Sequence, residues 1–291
     1  MKQIRKVDNL IAKQLRKNHD KISNALIEPM HPDYPYSTNG IYFFCARMGG
    51  GKTYTVLRHI MVTETLFDQP YYDSIIFTST SGSMDKTVQT LKKSISTPIT
   101  YVPETKLVSY LERHLRGKMK YYAVMEFLNS GGSEVSDLMK HILEKHRLWK
   151  MMRGRKVYDL KRIVMYAQAI ADKYSFSTYP SNTLLVCDDF ATSPLLKKID
   201  SPLIGILTKT RHYNLTAIIV AQTWRFIHLN LKRLCTDIVI WSGYSIEDFQ
   251  KMISQCPTSL LWKDLWPIYS RLPNKHSKLI IHTPCDQYEI A

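Results

Sequence analysis

Ala46-Arg47-Met48-Gly49-Gly50-Gly51-Lys52-Thr53 decides how the rest of this chain is read. It stands directly behind the apolar run Ile41-Tyr42-Phe43-Phe44-Cys45. Three successive glycines give up side chains so that backbone N–H groups can approach an anion closely and adopt positive φ. The lysine and threonine that follow match GxxxxGK[ST], in which the ammonium reaches the β- and γ-phosphates of a nucleotide and the hydroxyl ligates Mg²⁺. A helix opening at Lys52 adds the positive end of its dipole. Ala46 stands where the pattern has its first glycine. The cradle is Ala46, Arg47, Met48, Gly49, Gly50, Gly51, Lys52, Thr53 and Tyr54, and the bland alternative is a flexible surface turn.

Outward from this loop, apolar runs alternate with helical patterns. Ile41–Cys45 reads as a buried strand, 52–64 as a helix and 74–78 as a second strand ending in the polar loop 79–83. Strands follow at 184–187, 216–221 and 237–241, with a helix near 194–209 and a late edge strand at 278–282. Helical and turn patterns fill 104–175. Buried strands alternating with helices predict a mostly parallel sheet covered on both faces. Residues 1–30 read as a helix with Ile4, Val7, Ile11 and Leu15 on one face and lysines and arginines around it, followed by a Pro-rich connector at 29–35. The expected organisation is a basic arm and linker over 1–38 and one α/β domain over 39–291 with a mainly helical, basic insertion at about 104–175.

A phosphate loop needs an acid on a neighbouring strand. Asn182-Thr183-Leu184-Leu185-Val186-Cys187-Asp188-Asp189-Phe190 supplies it, because a carboxylate at the C-terminal end of a buried parallel strand faces the crevice where such sheets bind ligands. Asp188 is assigned to the Mg²⁺ shell and Asp189 to priming the attacking water. Thr216–Thr223 (TAIIVAQT) ends a further strand in Gln222, an amide placed to contact a γ-phosphate. Arg211 precedes that strand and is the first candidate for a cation lent to a neighbour's site, with Lys232 and Arg233 as runners-up.

The 291 residues carry 44% apolar side chains and a net charge of +15. That excess favours a polyanionic partner. The densest stretch, RLWKMMRGRKVYDLKR at 147–162, offers Lys150, Arg153, Arg155, Lys156, Lys161 and Arg162 to phosphates, with Trp149 and Tyr158 interleaved. A solvated face with a core tryptophan is the alternative. No apolar window reaches membrane-spanning length, and the basic N-terminus lacks the apolar segment of a secretory signal. Cys45, Cys187, Cys235, Cys256 and Cys285 show no zinc spacing and read as reduced core thiols of an intracellular or intravirion protein. Tyr121, Tyr122, Trp262 and Trp266 fall at helical spacing and read as core.

Together these motifs resemble the FtsK–HerA superfamily, most nearly the genome-packaging ATPases of poxviruses, other large DNA viruses, virophages and Polinton-like elements. The resemblance rests on ARMGGGKT, TSTSGS (78–83), LLVCDDF (184–190), TKTRHYNLTAIIVAQT (208–223) and NLKRLCTDIVIW (230–241). It spans about 40–245 and leaves 104–175 unmatched; Ala46 and Lys232 depart from it. It implies a P-loop NTPase fold of the additional-strand type, with the glutamine strand between the loop strand and the Asp-Asp strand. It also implies ATP and Mg²⁺ as ligands and a homo-oligomeric ring, usually hexameric, that pumps double-stranded DNA into a capsid. The expected setting is the host cytoplasm, a virus factory or the virion, with a capsid or portal protein as a further partner and no membrane. Other P-loop DNA motors, a small-molecule kinase, and a DNA- or capsid-binding protein with a structural nucleotide site are the rival readings.

Overall fold

The computed structural model describes residues 29–31, 34–67, 69–80, 89, 92–198, 200–225 and 227–291. The helix expected from residue 1 and most of the polar loop at 79–83 lie outside the described residues. In chain order the strands are β1 (Pro29–His31), β2 (Tyr34–Ser37), β3 (Ile41–Cys45), β4 (Ser74–Ser79), β5 (Ile99–Tyr101), β6 (Trp149–Met152), β7 (Arg155–Tyr158), β8 (Thr183–Asp188), β9 (Leu215–Ala221), β10 (Asp237–Trp241), β11 (Lys278–His282) and β12 (Gln287–Ile290). The α-helices are α1 (Lys52–Thr65), α2 (Glu104–Asn129), α3 (Asp137–Lys145), α4 (Leu160–Tyr174), α5 (Pro202–Leu207), α6 (Leu229–Lys232), α7 (Ile246–Ile253) and α8 (Trp262–Tyr269). Residues 109–181 form one compact unit, and the described residues up to 108 together with 182–291 form another.

The second unit is built on an eight-stranded sheet in the order β12-β11-β10-β3-β9-β8-β4-β5. Neighbours from β10 to β5 run parallel. β11 and β12 turn back antiparallel at one side. This is a mostly parallel α/β sheet, as expected for the fold class read from the sequence. The strand leading to Gln222 lies between the loop strand and the Asp-Asp strand, which is the additional-strand order expected above.

The composition of β3 follows from its place. All five of its residues are buried, because it is covered on both faces. Phe43 meets Trp224 edge-on at 4.6 Å between ring centres on one side. Tyr42 and Phe44 join Val56 and Ile60 of α1 in the core cluster. Alternation sends successive side chains to opposite faces, so a strand buried twice must be apolar throughout. Each such aromatic contributes about 1.5–3 kcal/mol of burial.

Four local expectations are corrected. Residues 278–282 do not form the edge, because Gln287–Ile290 pairs outside them. The helix expected near 194–209 is broken into a 3-10 turn at Pro194–Leu196 and the short α5. Pro194 and Pro202 explain the break: proline has no N–H to continue a helix and is favoured in its first turn, where each of them stands. The Pro-rich connector contributes an antiparallel pair, β1 with β2. Trp262 and Trp266 are only partly buried on α8.

The unit of residues 109–181 holds the greater part of α2, then α3, the β6–β7 hairpin and α4. Ser136 and Asp159 cap α3 and α4 by accepting from the N–H groups of Met139 and Arg162, at 3.2 and 3.3 Å. Tyr121, Ile170, Ala171 and Phe176 form its small core cluster. The hairpin was not foreseen in a segment expected to be mainly helical. Its turn is Arg153-Gly154, with φ of 48° and 77°. Positive φ at both central residues suits the twist of a two-residue hairpin.

On the buried face of α1, His59 is hydrogen-bonded to the hydroxyls of Tyr34 and Tyr72 at 2.7 and 3.0 Å. Burial lowers its pKa to about 3. Between the free imidazole value near 6.5 and that figure, the unfolded chain binds a proton that the folded chain refuses. Stability therefore falls as pH drops below about 6.5, by about 1.4 kcal/mol per pH unit for this one group. Urea unfolding of the His59→Gln variant between pH 6.5 and 5 should show a slope shallower by about that amount. An unchanged slope would show that His59 is not the group refusing the proton.

Candidate nucleotide site

The loop between β3 and α1 forms the first wall of the site. Gly49 and Gly51 have φ of 74° and 96°, values that side chains adopt only with strain, and Gly51 is the N-cap residue of α1. Gly50 is constrained by space instead. A Cβ placed there would lie 2.9 Å from the Ala46 Cβ and 3.2 Å from the Arg47 carbonyl oxygen. Ala46 is buried and does not have positive φ, so its departure from glycine carries no backbone penalty. Its N–H donates to the Ala221 carbonyl at 3.2 Å, fastening the loop to β9. Lys52 donates to the carbonyls of Ala46 and Arg47 at 2.8 and 3.2 Å, folded onto its own loop. Burial lowers the Lys52 pKa, and Asp189 and Asp188 oppose that shift. Thr53 is half-buried in the first turn of α1, while Met48 and Tyr54 are exposed.

The second wall is the C-terminal end of β8 and β9. Asp188 is the last residue of β8 and is half-buried. Asp189 follows in the left-handed region, at φ 53°. A non-glycine residue held there stores local strain, which the buried Phe190 and a hydrogen bond to its carbonyl from Thr80 Oγ1 at 3.0 Å help to hold. Gln222 donates its amide to the Asp189 carboxylate at 3.1 Å. The structure thus brings Lys52, Asp188, Asp189 and Gln222 to one end of the sheet. A cation, two carboxylates and an amide around a glycine loop can bind a polyphosphate and polarise a water beside it.

The sequence reading missed Tyr244. Its hydroxyl donates to the Gln222 carbonyl at 2.9 Å and lies 3.2 Å from Cys45 Sγ. Its own N–H donates to the Tyr269 hydroxyl at 3.0 Å, and that hydroxyl donates to the Trp241 carbonyl at 2.6 Å. This chain of bonds buttresses β3, β9 and β10 at the loop end. Only its place, three residues past the end of β10, could have signalled it.

Two sequence candidates lie elsewhere. Arg211 is exposed on a 3-10 turn ahead of β9, at the other end of that strand from Gln222. Seven strand residues separate the two ends, on the order of 20 Å. Lys232 is buried, with its ammonium donating to Gln255 Oε1 at 2.7 Å and 5.4 Å from the Trp224 ring centre. That packing removes it as a residue to lend; its neighbour Arg233 is exposed.

Of the candidate phosphate-contacting cations, Lys150, Arg155 and Lys156 lie on the hairpin strands, Arg153 in its turn and Lys161 and Arg162 in the first turn of α4; all are exposed. Pairing of Lys150 with Val157 and of Met152 with Arg155 puts these four on one hairpin face. The opposite face is occupied: Lys156 covers the Trp149 ring at 4.2 Å and Tyr158 packs edge-on to Phe127 at 5.0 Å. Those two aromatics are therefore engaged within their own unit. Among the described residues no helix is long and apolar enough to cross a membrane.

No family model and no curated protein matches the chain. Among solved structures it is similar to B204, the DNA-packaging ATPase from Sulfolobus turreted icosahedral virus, at 14% identity and a TM-score of 0.49, covering 87% of this chain and 97% of that one. It is also similar to the genome packaging NTPase B204 from Sulfolobus turreted icosahedral virus 2 in complex with ATP-gammaS, at 12% identity and a TM-score of 0.47, covering 86% and 95%. The N-terminal domain of zonular occludens toxin from Neisseria meningitidis overlaps at 12% identity and a TM-score of 0.35, covering 87% and 94%. Likeness at this level assigns the chain no activity.

Competition between Ala46 and Gly50 for the same space is testable by a double-mutant cycle. Gly50→Ala should cost about 1–3 kcal/mol through overpacking, and adding Ala46→Gly should recover a substantial part of it. Denaturant unfolding of the four proteins measures the coupling; strict additivity would show that the two side chains do not meet.

Proposed function

We propose that this protein is an ATP-hydrolysing translocase of double-stranded DNA, a genome-packaging motor of the FtsK–HerA type. The observation that carries the reading is the convergence of Lys52, Asp188, Asp189 and Gln222 at the ends of three adjacent parallel strands. The glycine loop and the N-terminus of α1 would cradle the phosphates, with Lys52 leaving its loop carbonyls for the β- and γ-phosphates. Thr53 and Asp188 would supply hard oxygen ligands to Mg²⁺ bound with the nucleotide. When bound, that ion neutralises charge on the transferring phosphoryl group. Among the described residues no cluster of three or more His, Cys, Asp or Glu forms a separate metal cage. Asp189 would accept the proton of the attacking water once its bond from Gln222 is released, and Gln222 would then face the γ-phosphate.

Arg211 lies too far from its own chain's Gln222 to reach the same phosphate, so in this reading it serves a neighbouring subunit. A homo-oligomeric ring, hexameric by resemblance, supplies that neighbour. The DNA assignment rests on the net charge of +15 and on the cation-rich hairpin. Phosphate contacts carry no sequence information, as a motor that moves any duplex requires. A capsid or portal partner and a site of action in the host cytoplasm, virus factory or virion belong to the same proposal.

ATP turnover on the oligomeric peak from size-exclusion chromatography tests it. Duplex DNA should stimulate hydrolysis, and Lys52→Ala should reduce turnover by about 10²-fold or more, in line with removal of a phosphate-stabilising group. Equal turnover in wild type and variant would refute the site, and stimulation by forked but not by plain duplex DNA would favour a helicase. A second measurement addresses the hairpin. Replacing Lys150, Arg153, Arg155 and Lys156 together by Ala should flatten the dependence of log affinity on log salt by about 0.9 for each phosphate that is no longer neutralised. An unaltered slope would place the DNA surface elsewhere.

A further inference from the structure

β6 and β7 make a separate two-stranded ribbon whose faces differ. On one, Tyr158 packs against Phe127, and Lys156 folds over Trp149 with its ammonium 3.7 Å from the Glu144 carboxylate. The other carries Lys150, Met152, Arg155 and Val157, all exposed. Met152 and Val157 leave 50% and 40% of their surface in water. Lys150 stands opposite Val157 and Met152 opposite Arg155, so the cations occupy one diagonal of this face and the apolar side chains the other. Phosphates alone would be served by lysine or arginine at all four places. Two exposed apolar side chains between two cations fit a polyanion that also offers apolar surface.

We propose that this face enters the major groove of B-form duplex DNA. This rests on the reading of the hairpin as a DNA contact and names the surface of the duplex that it meets. Paired strands lie about 4.8 Å apart, and with side chains a ribbon fits the B-DNA major groove, about 12 Å wide, but not the minor groove, about 6 Å wide. Four residues per strand extend about 13 Å at ~3.3 Å each, enough to cross a groove about 8.5 Å deep. The tip stands clear: a Cβ on Gly154 would meet nothing within 4 Å.

The chemistry of the groove matches the checkerboard. Phosphates run along both sides, and thymine methyl groups and base edges form the floor. Diagonal neighbours on a ribbon are about 7–8 Å apart, so Lys150 and Arg155, splayed outwards, reach the two sides while Met152 and Val157 lie over the floor. An apolar contact has no donor or acceptor to satisfy and passes from one base pair to the next, as a motor on any sequence needs. The same geometry disfavours other polyanions. The major groove of A-form RNA is deep and narrow, and side chains do not read it. Single strands are gripped by stacking on aromatic rings, and Trp149 and Tyr158 are engaged within their own unit. Elements that lie on anionic membranes segregate apolar and charged residues to opposite sides, whereas here they are interleaved on one face.

Fluorescence anisotropy of a short labelled DNA duplex with the full chain, at fixed salt, tests the groove. The competing probes share its sequence: duplex RNA, DNA carrying glucosylated 5-hydroxymethylcytosine, whose sugar fills the major groove, and DNA saturated with netropsin, which fills the minor groove. Duplex RNA and glucosylated DNA should bind about tenfold or more weakly than plain DNA, and netropsin should change affinity by no more than about threefold. The double variant Met152→Ala with Val157→Ala changes only exposed side chains. It should weaken plain duplex about threefold or more and leave the salt slope unaltered, because apolar groups release no counterions. Replacement of Lys150, Arg153, Arg155 and Lys156 by Ala should flatten that slope and abolish the preference for plain over glucosylated DNA. Equal binding of plain and glucosylated DNA, with the slope still flattened by the fourfold variant, overturns the inference and leaves the hairpin's phosphate contacts standing. Full affinity in the apolar double variant, or a preference that survives the fourfold replacement, overturns it as well, since another surface would then read the groove. Binding to phosphatidylserine vesicles that the double variant loses while keeping duplex affinity would give the face to a membrane. If the fourfold variant leaves the slope unchanged, the DNA reading of the hairpin fails and this inference falls with it.

Discussion

The Gln222–Asp189 hydrogen bond shows what the rest of the structure makes possible. Its two residues come from segments 33 positions apart in sequence and meet only because β8 and β9 lie side by side, parallel and in register. The same parallel order sets β3 against β9, so the glycine loop emerges at the same level as the two acids and the amide. Parallel strands need long crossovers, and the crossovers here supply the helices that cover both faces. Burial of the central strands and convergence of the polar ends are thus one constraint. A sheet in another order would keep the core and scatter the site.

Much of this was legible because the strong signals are local. Three glycines before Lys52 and Thr53 require a specific backbone, and the positive φ of Gly49 and Gly51 is that backbone. β3, β8, β9 and β10 are continuous apolar runs because both of their faces are buried, and no alternation was needed to find them. The neighbour relation of β9 to β3 and β8 was not in any local pattern; it came from the resemblance. What escaped the sequence depends on distant partners or on single turn residues. Tyr244 matters through bonds to Gln222, Cys45 and Tyr269, none near it in the chain. Trp266 read as core from its spacing, yet helical spacing does not say whether a neighbour covers the outer edge of the ring. The β6–β7 hairpin hid in a basic stretch because its turn is Arg-Gly rather than the commoner Asn-Gly or Asp-Gly.

Charge is distributed by role. Lys52 and Lys232 are both lysines with pKa lowered first by burial. Lys52 has two carboxylates opposing that shift and lies on carbonyls that a phosphate can replace. Lys232 is fixed by the Gln255 amide and the Trp224 ring. In the proposed reading the first is poised for a phosphate, while the second completes a core. The hairpin cations are exposed, so each alone contributes little; in the proposed reading several together would set a salt-dependent attraction to DNA.

Trp241 is almost fully buried, directly against the loop glycines and along one side of a neighbouring cleft. An indole's emission shifts with the polarity and mobility of what surrounds it. A rearrangement of residues 49–51 must therefore alter the surroundings of this ring. The protein carries an intrinsic optical reporter at that spot, one of its five tryptophans, so a rearrangement of the loop would register in this indole's emission without an attached dye.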